Sequence, residues 1–485
     1  MRSPRVVVVG AGMSGICIAA MLRDAGVDTV TLYEKSDRLG GTWRDNTYPG
    51  VACDVPSHYY SFSFAPNPDW SRIYSSGGEI WAYLEDVARL HRVTERVRFG
   101  VEVTGAEWAG GHWRVELSTG ETVPADFLVA ATGVVHHIRE PDLPGLESFA
   151  GARFHSARWD HSVPVDGARV GLVGSGSTGV QITGALAGRA APLTLFQRTP
   201  QWVLPATNPR VPDRLRGLLR RFPAVNRATY RLVQSLVEHT LFEAVLKPGL
   251  RRRAVELACE RNLRKVADPA LRAKLTPDDQ PMCRRLIVAP DYYEAVQRDD
   301  VHVVTERIER VEPAGVRTVD GTLHELDVLV LATGFDPHAF MRPMNLTGLD
   351  GRTLAEEWAK GARGYRSIAL PGFPNFFMLL GPHSPFGNQS QITVAETQAR
   401  HALGWIERWR RGELDSASPT DAAAERFNRQ VRAALSVPGT VWVTGCNSWY
   451  LGDDGLPELW PWSAARHREV LAAPVDDDWE VRAVR

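Results

Sequence analysis

The distribution of apolar and polar positions divides the chain into units that repeat. Val6 to Val9 is wholly apolar and β-branched, the pattern of a strand buried on both faces of a parallel sheet. Gly10-Ala11-Gly12-Met13-Ser14-Gly15 follows at once. A helical pattern then runs from about Ser14 through Met21 and Leu22 to Gly26, a natural helix stop, and a second strand, Thr29 to Tyr33, ends in Glu34. This order predicts a strand-helix-strand unit that binds a dinucleotide. Gly10 makes the tight turn, Gly12 lets a pyrophosphate approach the backbone, Gly15 lets helix and strand pack, and Glu34 takes the ribose hydroxyls.

The unit recurs. Arg169 to Val173 is a second strand, Gly174-Ser175-Gly176-Ser177-Thr178-Gly179 a second glycine motif, Val180 to about Leu186 a helical stretch and Leu193 to Phe196 the returning strand. Here the strand ends in Gln197-Arg198-Thr199 and not in an acid. A guanidinium at that point pairs with a 2′-phosphate, so NADPH is expected over NADH. Two further strands, Ala125 to Ala130 and Leu326 to Leu331, each run into Ala-Thr-Gly, as expected where the chain crosses between two nucleotide folds. Residues 201–285 are rich in Leu and Arg at helical spacing, and the arginines of 216–221 suggest membrane contact or, as the commoner explanation, a solvated helix face.

Composition narrows the class. At 485 residues the chain is long enough for two or three domains, and its 44% hydrophobic and 23% charged residues argue against a disordered or disulfide-stapled protein. With 56 Lys plus Arg against 57 Asp plus Glu, no global field draws it to nucleic acid or to a membrane. Small molecules are the expected partners, with no metal. Among Cys17, Cys53, Cys259, Cys283 and Cys446 no two stand at CxxC or CxxxxC spacing, which excludes a zinc ribbon or a local dithiol centre and suits a reducing cytoplasm. The apolar runs are too short for a spanning helix or the core of a signal peptide.

One segment is more specific. Phe149, Gly151, His155 and Trp159, followed by Asp160, stand just before the second glycine motif at the spacing FxGxxxHxxxW. This resembles the fingerprint of type I Baeyer-Villiger monooxygenases. A second pattern of that family is matched by Gly40-Gly41-Thr42-Trp43, Tyr48-Pro49-Gly50 and Asp54. The resemblance implies an α/β flavoprotein with two dinucleotide-binding (Rossmann-like) domains, the NADP domain inserted in the FAD domain. FAD is then held by 1–137 with 331–485, NADP by 138–200 with 286–330, and 201–285 is the helical insertion.

The same resemblance implies site residues. FAD contacts fall on Gly10, Gly12, Ser14, Gly15, Glu34, Gly41, Thr42, Trp43, Asp54, Tyr60, Val103 and Gln391. NADP contacts fall on Ser175, Gly176, Ser177, Thr178, Gly179, Val180, Gln181, Arg198, Thr199, Arg284 and Arg285. The expected reaction has NADPH reduce FAD, O2 add at the flavin C4a, and the resulting peroxide attack a ketone to give an ester or lactone. Arg285 matches the family's catalytic arginine and Asp54 its orienting carboxylate. His155 and Trp159 are expected to act on conformation, not on chemistry. Trp449 and Tyr450 are candidates for the roof of a substrate pocket, and Cys53 for a packed neighbour. The rivals are an N- or S-oxidising monooxygenase of the same fold and a nucleotide-binding sensor without catalysis. A monomer and a homodimer both suit the chain, and Gly455-Leu456-Pro457 departs from the Gly-Lys-Pro of the cyclic-ketone oxidisers, so the ketone stays open.

Overall fold

The computed structural model describes the chain except residues 385–388, 442–445, 447–450, 453–454, 473–475 and 484–485. Two five-stranded parallel sheets organise it. The first carries, in spatial order, Phe376–Met378, Phe127–Ala130, Val6–Val9, Val30–Glu34 and Val97–Phe99. The second carries Val301–Val304, Leu193–Phe196, Val170–Val173, Val328–Leu331 and Ala152–His155. In each, the strand before a glycine motif is central, and the strand running into Ala-Thr-Gly lies on its other side. The central strands are apolar on both faces because helices or a second layer cover both faces.

The first glycine helix, Met13–Asp24, is buried on nearly every side from Ser14 to Leu22, which accounts for its weak amphipathic pattern. It packs between the first sheet and the long helix Gln391–Arg410. Arg410, at the end of that helix, donates to the carbonyls of Ala25 and Gly26, satisfying the end of the first helix with a cation. The opposite face of the sheet is covered by the antiparallel strands Val103–Ala109, His112–Leu117 and Thr122–Ala125, with Asn345–Thr347 alongside.

The second glycine helix, Ser177–Leu186, begins three residues earlier than the sequence pattern suggests, because Ser177 to Gly179 already form its first turn. The chain passes between the sheets at two places that lie side by side. Arg139 N–H donates to the Gly334 carbonyl, Asp336 N–H to the His137 carbonyl, and Ile138 bridges Phe335. The 201–285 region is helical as expected, with Asp213–Arg221, Pro223–Val237, Leu250–Leu263 and Pro269–Lys274 as its longer elements. Among the described residues no helix is long and apolar enough to cross a membrane, and no cluster of side chains could hold a metal.

Candidate functional site

Each glycine motif is built so that backbone can approach backbone. A Cβ on Gly10 would lie 2.8 Å from the Ala131 carbonyl oxygen and one on Gly174 2.4 Å from that of Ala332, tying each tight turn to the adjoining Ala-Thr-Gly strand. Gly15 and Gly179 each face the carbonyl of the turn glycine, at 2.0 Å from such a Cβ. The middle glycines differ. A Cβ on Gly176 would meet nothing within 4 Å, and one on Gly12 only backbone atoms of Gly41, the nearest at 3.5 Å. Neither Gly12 nor Gly176 can cap its helix with a side chain, so the first-turn N–H groups remain for an anion. Both slots fit a dinucleotide pyrophosphate.

Around the first slot, Glu34 is buried and accepts from the Ala11 and Ser36 N–H groups at 2.8 and 3.0 Å. It also pairs with Arg44 at 3.1 Å, a partner ten residues away that no local pattern indicated. Ser14 is buried at the helix start, and Gly41, Thr42 and Trp43 form the short turn opposite Gly12. Trp43 Nε1 donates to the Tyr60 hydroxyl at 3.1 Å, with the rings edge to face at 5.6 Å. Gln391 opens the long helix. Val103 is buried in the packing layer with Val9 and Tyr33, so a nucleotide could meet only its backbone.

At the second slot, Ser175 Oγ donates to the Thr199 carbonyl at 2.6 Å, holding the loop after the strand against the glycine turn. Val180 is fully buried, and its side chain belongs to the core. Arg198 is exposed at the strand end and carries no ion pair among the described residues. Arg284 lies beside the same loop, 3.5 Å from the Pro200 carbonyl, and forms an ion pair with Asp279 at 3.0 Å. Its charge is therefore shared with an acid that sequence reading had not connected to it.

The two slots are joined by the loop that carries Asp54. Tyr48 donates to Gln181 Oε1 at 2.9 Å, and Gln181 Nε2 donates to the Ala52 carbonyl at 3.0 Å. Gly50 presses on the second glycine helix: a Cβ there would lie 2.6 Å from the Gln181 carbonyl oxygen and 2.9 Å from Ala185 Cβ, and its φ is +86°. Burial lifts the Tyr48 hydroxyl to about 12, so it remains a neutral donor.

Next along the chain, Asp54 meets Arg285, 231 residues away. Nε and Nη2 of the guanidinium donate to the two carboxylate oxygens, both at 2.5 Å, with side chains 21% and 15% exposed. This two-pronged geometry fixes the plane of the guanidinium as well as its charge. Cys53 is buried beside the pair; burial, with Asp54 adding to it, pushes its thiol up, so it stays protonated and unreactive.

The fingerprint segment has a packing explanation. A Cβ on Gly151 would lie 2.4 Å from the Asp327 carbonyl oxygen and 2.7 Å from the Phe149 ring, which requires glycine between them. His155 ends the edge strand of the second sheet, beside Leu331 and the crossover that follows it. Its Nδ1 accepts from the Ala157 N–H at 3.1 Å, and burial lowers its pKa, leaving a neutral ring unsuited to hold a proton for catalysis. Trp159 is buried with its ring edge to face against Phe154 at 5.0 Å. Trp449 and Tyr450 lie outside the described residues.

Two of the cysteines pair at long range. Cys283 and Cys446 form a disulfide across 163 residues, tying the segment just before Arg284 and Arg285 to the C-terminal region. The absence of close Cys spacing does not bear on this bridge, because a pair so distant leaves no local signature. Cys17, Cys53 and Cys259 are free and buried.

Comparison with known proteins agrees with this architecture. A family model described as an NAD(P)-binding Rossmann-like domain matches residues 8–76. The chain is 51% identical to an uncharacterized monooxygenase of Mycobacterium tuberculosis over 481 residues, 99% of this chain and 97% of that protein. It is 39% identical to a Baeyer-Villiger monooxygenase of Streptomyces coelicolor, covering 96% of this chain and 90% of the relative. The structure of OTEMO in complex with FAD and NADP superposes with a TM-score of 0.87 at 29% identity, covering 99% of this chain and 100% of that one. The parallel sheets, the paired glycine slots and these likenesses over almost the whole length lead to one conclusion: the chain belongs to the Baeyer-Villiger monooxygenase family.

Proposed function

We propose that this protein is an FAD-dependent monooxygenase that uses NADPH and O2 to convert a ketone to an ester or lactone, with Arg285 as the catalytic cation. The observation that carries the reading is the Asp54–Arg285 pair between two dinucleotide slots. Reduced by NADPH, the flavin supplies the chemistry that activates O2. The chain's own residues supply positioning and charge.

Arg285, held in plane by Asp54, presents a fixed positive charge where a carbonyl oxygen becomes an oxyanion, and a preorganised donor of this kind lowers the barrier without reorganising during the reaction. Asp54 is a positioning residue. The Gly12 and Gly176 slots take the two pyrophosphates, Glu34 the FAD ribose, and Arg198 with Arg284 the 2′-phosphate of NADPH. The chain divides into FAD-binding segments 1–137 and 331–485, NADP-binding segments 138–200 and 286–330, and the insertion 201–285. This division is supported by the two sheets and the adjacent crossovers near 138 and 335.

The test is product analysis. Purified holoenzyme is supplied with NADPH, O2 and a panel of cyclic, linear and aryl ketones alongside amines and sulfides. Esters or lactones formed in step with NADPH consumption are the expected result. Oxidation of amines or sulfides alone would assign the chain to the N- or S-oxidising chemistry, and absence of any turnover would leave a nucleotide sensor.

A further inference from the structure

The helical insertion exposes apolar groups that its fold does not use. Among the described residues, fourteen large hydrophobic side chains are exposed, and eight of them lie between Leu215 and Leu257. Six lie on the helices Asp213–Arg221 and Pro223–Val237 and at the break between them: Leu215, Leu218, Phe222, Val225, Leu232 and Leu236, 40% to 70% exposed. Leu215 and Leu218 are three residues apart on the first helix, and Val225, Leu232 and Leu236 are seven and four apart on the second, so each set lies on one face of its own helix. The helices already have a different inward face. Leu219, Asn226, Tyr230 and Val237 are buried, Asn226 Nδ2 donates to the Pro66 carbonyl at 2.8 Å, and the Tyr230 ring meets Tyr59 edge to face at 5.9 Å. These exposed apolar groups are thus additional to the face that docks the two helices, and Arg220 and Arg221 are exposed beside them, as a solvated helix face predicts.

Charge identifies what covers them. Residues 213–237 contain six arginines and one acid, Asp213, a local excess of five positive charges in a chain whose net charge is -1. Arg216 pairs with Asp213 and Arg220 with Asp69. Arg214, Arg221, Arg227 and Arg231 are exposed and have no acidic partner among the described residues. A second copy of the chain is a poor occupant, because a two-fold interface would set two such excesses against each other. An anionic phospholipid surface fits both properties: leucines and phenylalanine enter the acyl boundary while the arginine stems lie along it and hold their guanidinium groups among the phosphates.

We propose that the outer face of residues 213–237 is a peripheral membrane-binding surface for anionic phospholipid bilayers. It lies on the surface without spanning it, as the absence of a spanning helix among the described residues requires. The inference does not depend on the monooxygenase reading.

The experiment is vesicle flotation of the full-length holoenzyme, followed by its flavin fluorescence. Vesicles of phosphatidylcholine alone are compared with vesicles of equal parts phosphatidylcholine and phosphatidylglycerol, at low and high salt. The protein is expected to float with the anionic vesicles at low salt, to be released by salt, and to ignore the neutral ones. Leu232→Ser with Leu236→Ser should lower the partition at least about tenfold through lost apolar burial, and Arg227→Glu with Arg231→Glu should abolish the preference for anionic lipid. Both pairs are exposed, so flavin content and sedimentation should stay as in the unaltered protein. Failure of that protein to float with anionic vesicles at low salt overturns the proposal. So does undiminished flotation of the leucine variant, or loss of a dimer in that variant, which would assign these apolar groups to a second copy.

Discussion

Replacing Arg285 by lysine separates charge from geometry at the proposed catalytic cation. The guanidinium engages both oxygens of Asp54 and is fixed in plane by them. An ammonium keeps the charge but can reach the carboxylate only as a point donor. The pair is neither surface-exposed nor fully buried, at 21% and 15%. Exposed ion pairs contribute about 0–1 kcal/mol and disrupted buried ones cost about 3–5. Loss of one charge-assisted bond in this setting costs about 2 kcal/mol of alignment. If the alignment acts mainly on the oxyanion-forming step, ester formation falls about 30-fold. Arg285→Ala removes the donor itself and should cost about 100- to 1000-fold. The assay compares two readings on each variant: the rate at which NADPH bleaches the flavin without O2, and the ester formed per NADPH consumed in air. Flavin reduction should persist in both variants while ester yield falls in the order Arg, Lys, Ala. A lysine variant with full ester yield would refute the argument from geometry, and an alanine variant with full yield would remove Arg285 from the chemistry.

Four further outcomes follow from the same structure. Arg198→Ala should raise the KM for NADPH about 10- to 100-fold, from the loss of a charge-assisted contact, and leave that for NADH unchanged; a parallel rise in both would place Arg198 outside the 2′-phosphate site. Gly50→Ala puts a methyl group 2.6 Å from the Gln181 carbonyl oxygen at a φ of +86°, so a loss of about 1–3 kcal/mol should appear as a lower thermal midpoint, and an unchanged midpoint would mean that the loop yields freely. Burial lowers His401 to about 4 and His467 to about 3, so the unfolded chain takes up protons near pH 6.5 that the folded one refuses; stability present above 6.5 is lost as pH falls toward 4, by up to about 1.4 kcal/mol per pH unit for each histidine, and thermal midpoints from pH 7 to 5 should show His401→Gln to be less acid-sensitive. Cys283→Ser opens a bridge across 163 residues, worth at most about 5 kcal/mol by chain entropy; reductant should lower the thermal midpoint of the unaltered protein toward that of the variant and leave the variant alone.

The strand, glycine turn and helix at Val6 to Asp24 and again at Val170 to Leu186 were legible because their causes are local: an apolar run, glycines at fixed offsets and a helix start. The helical character of 201–285 was legible too, but not which of its faces meets the core, since Leu218 and Leu219 look alike in sequence and only one is buried. The Asp54–Arg285 pair and the Cys283–Cys446 bridge both join distant residues. Family resemblance led to the first, and no spacing rule reaches the second. Arg44 beside Glu34, and Asp279 beside Arg284, were missed for the same reason: each acid had a visible role or none, and its cationic partner is chosen by tertiary packing.

The Tyr48 to Asp54 loop has a thermodynamic consequence. Through Tyr48, Gly50 and Ala52 it is bonded to or packed on the second glycine helix, and two residues after Ala52 it holds Arg285 through Asp54. A nucleotide that moves this helix therefore also biases the arginine. By reciprocity, whatever factor NADP imposes on the affinity of a substrate or product analogue at Arg285, that analogue imposes on the affinity for NADP. The loop thus gives the second glycine helix and the cation a continuous chain of contacts through which such a linkage would act.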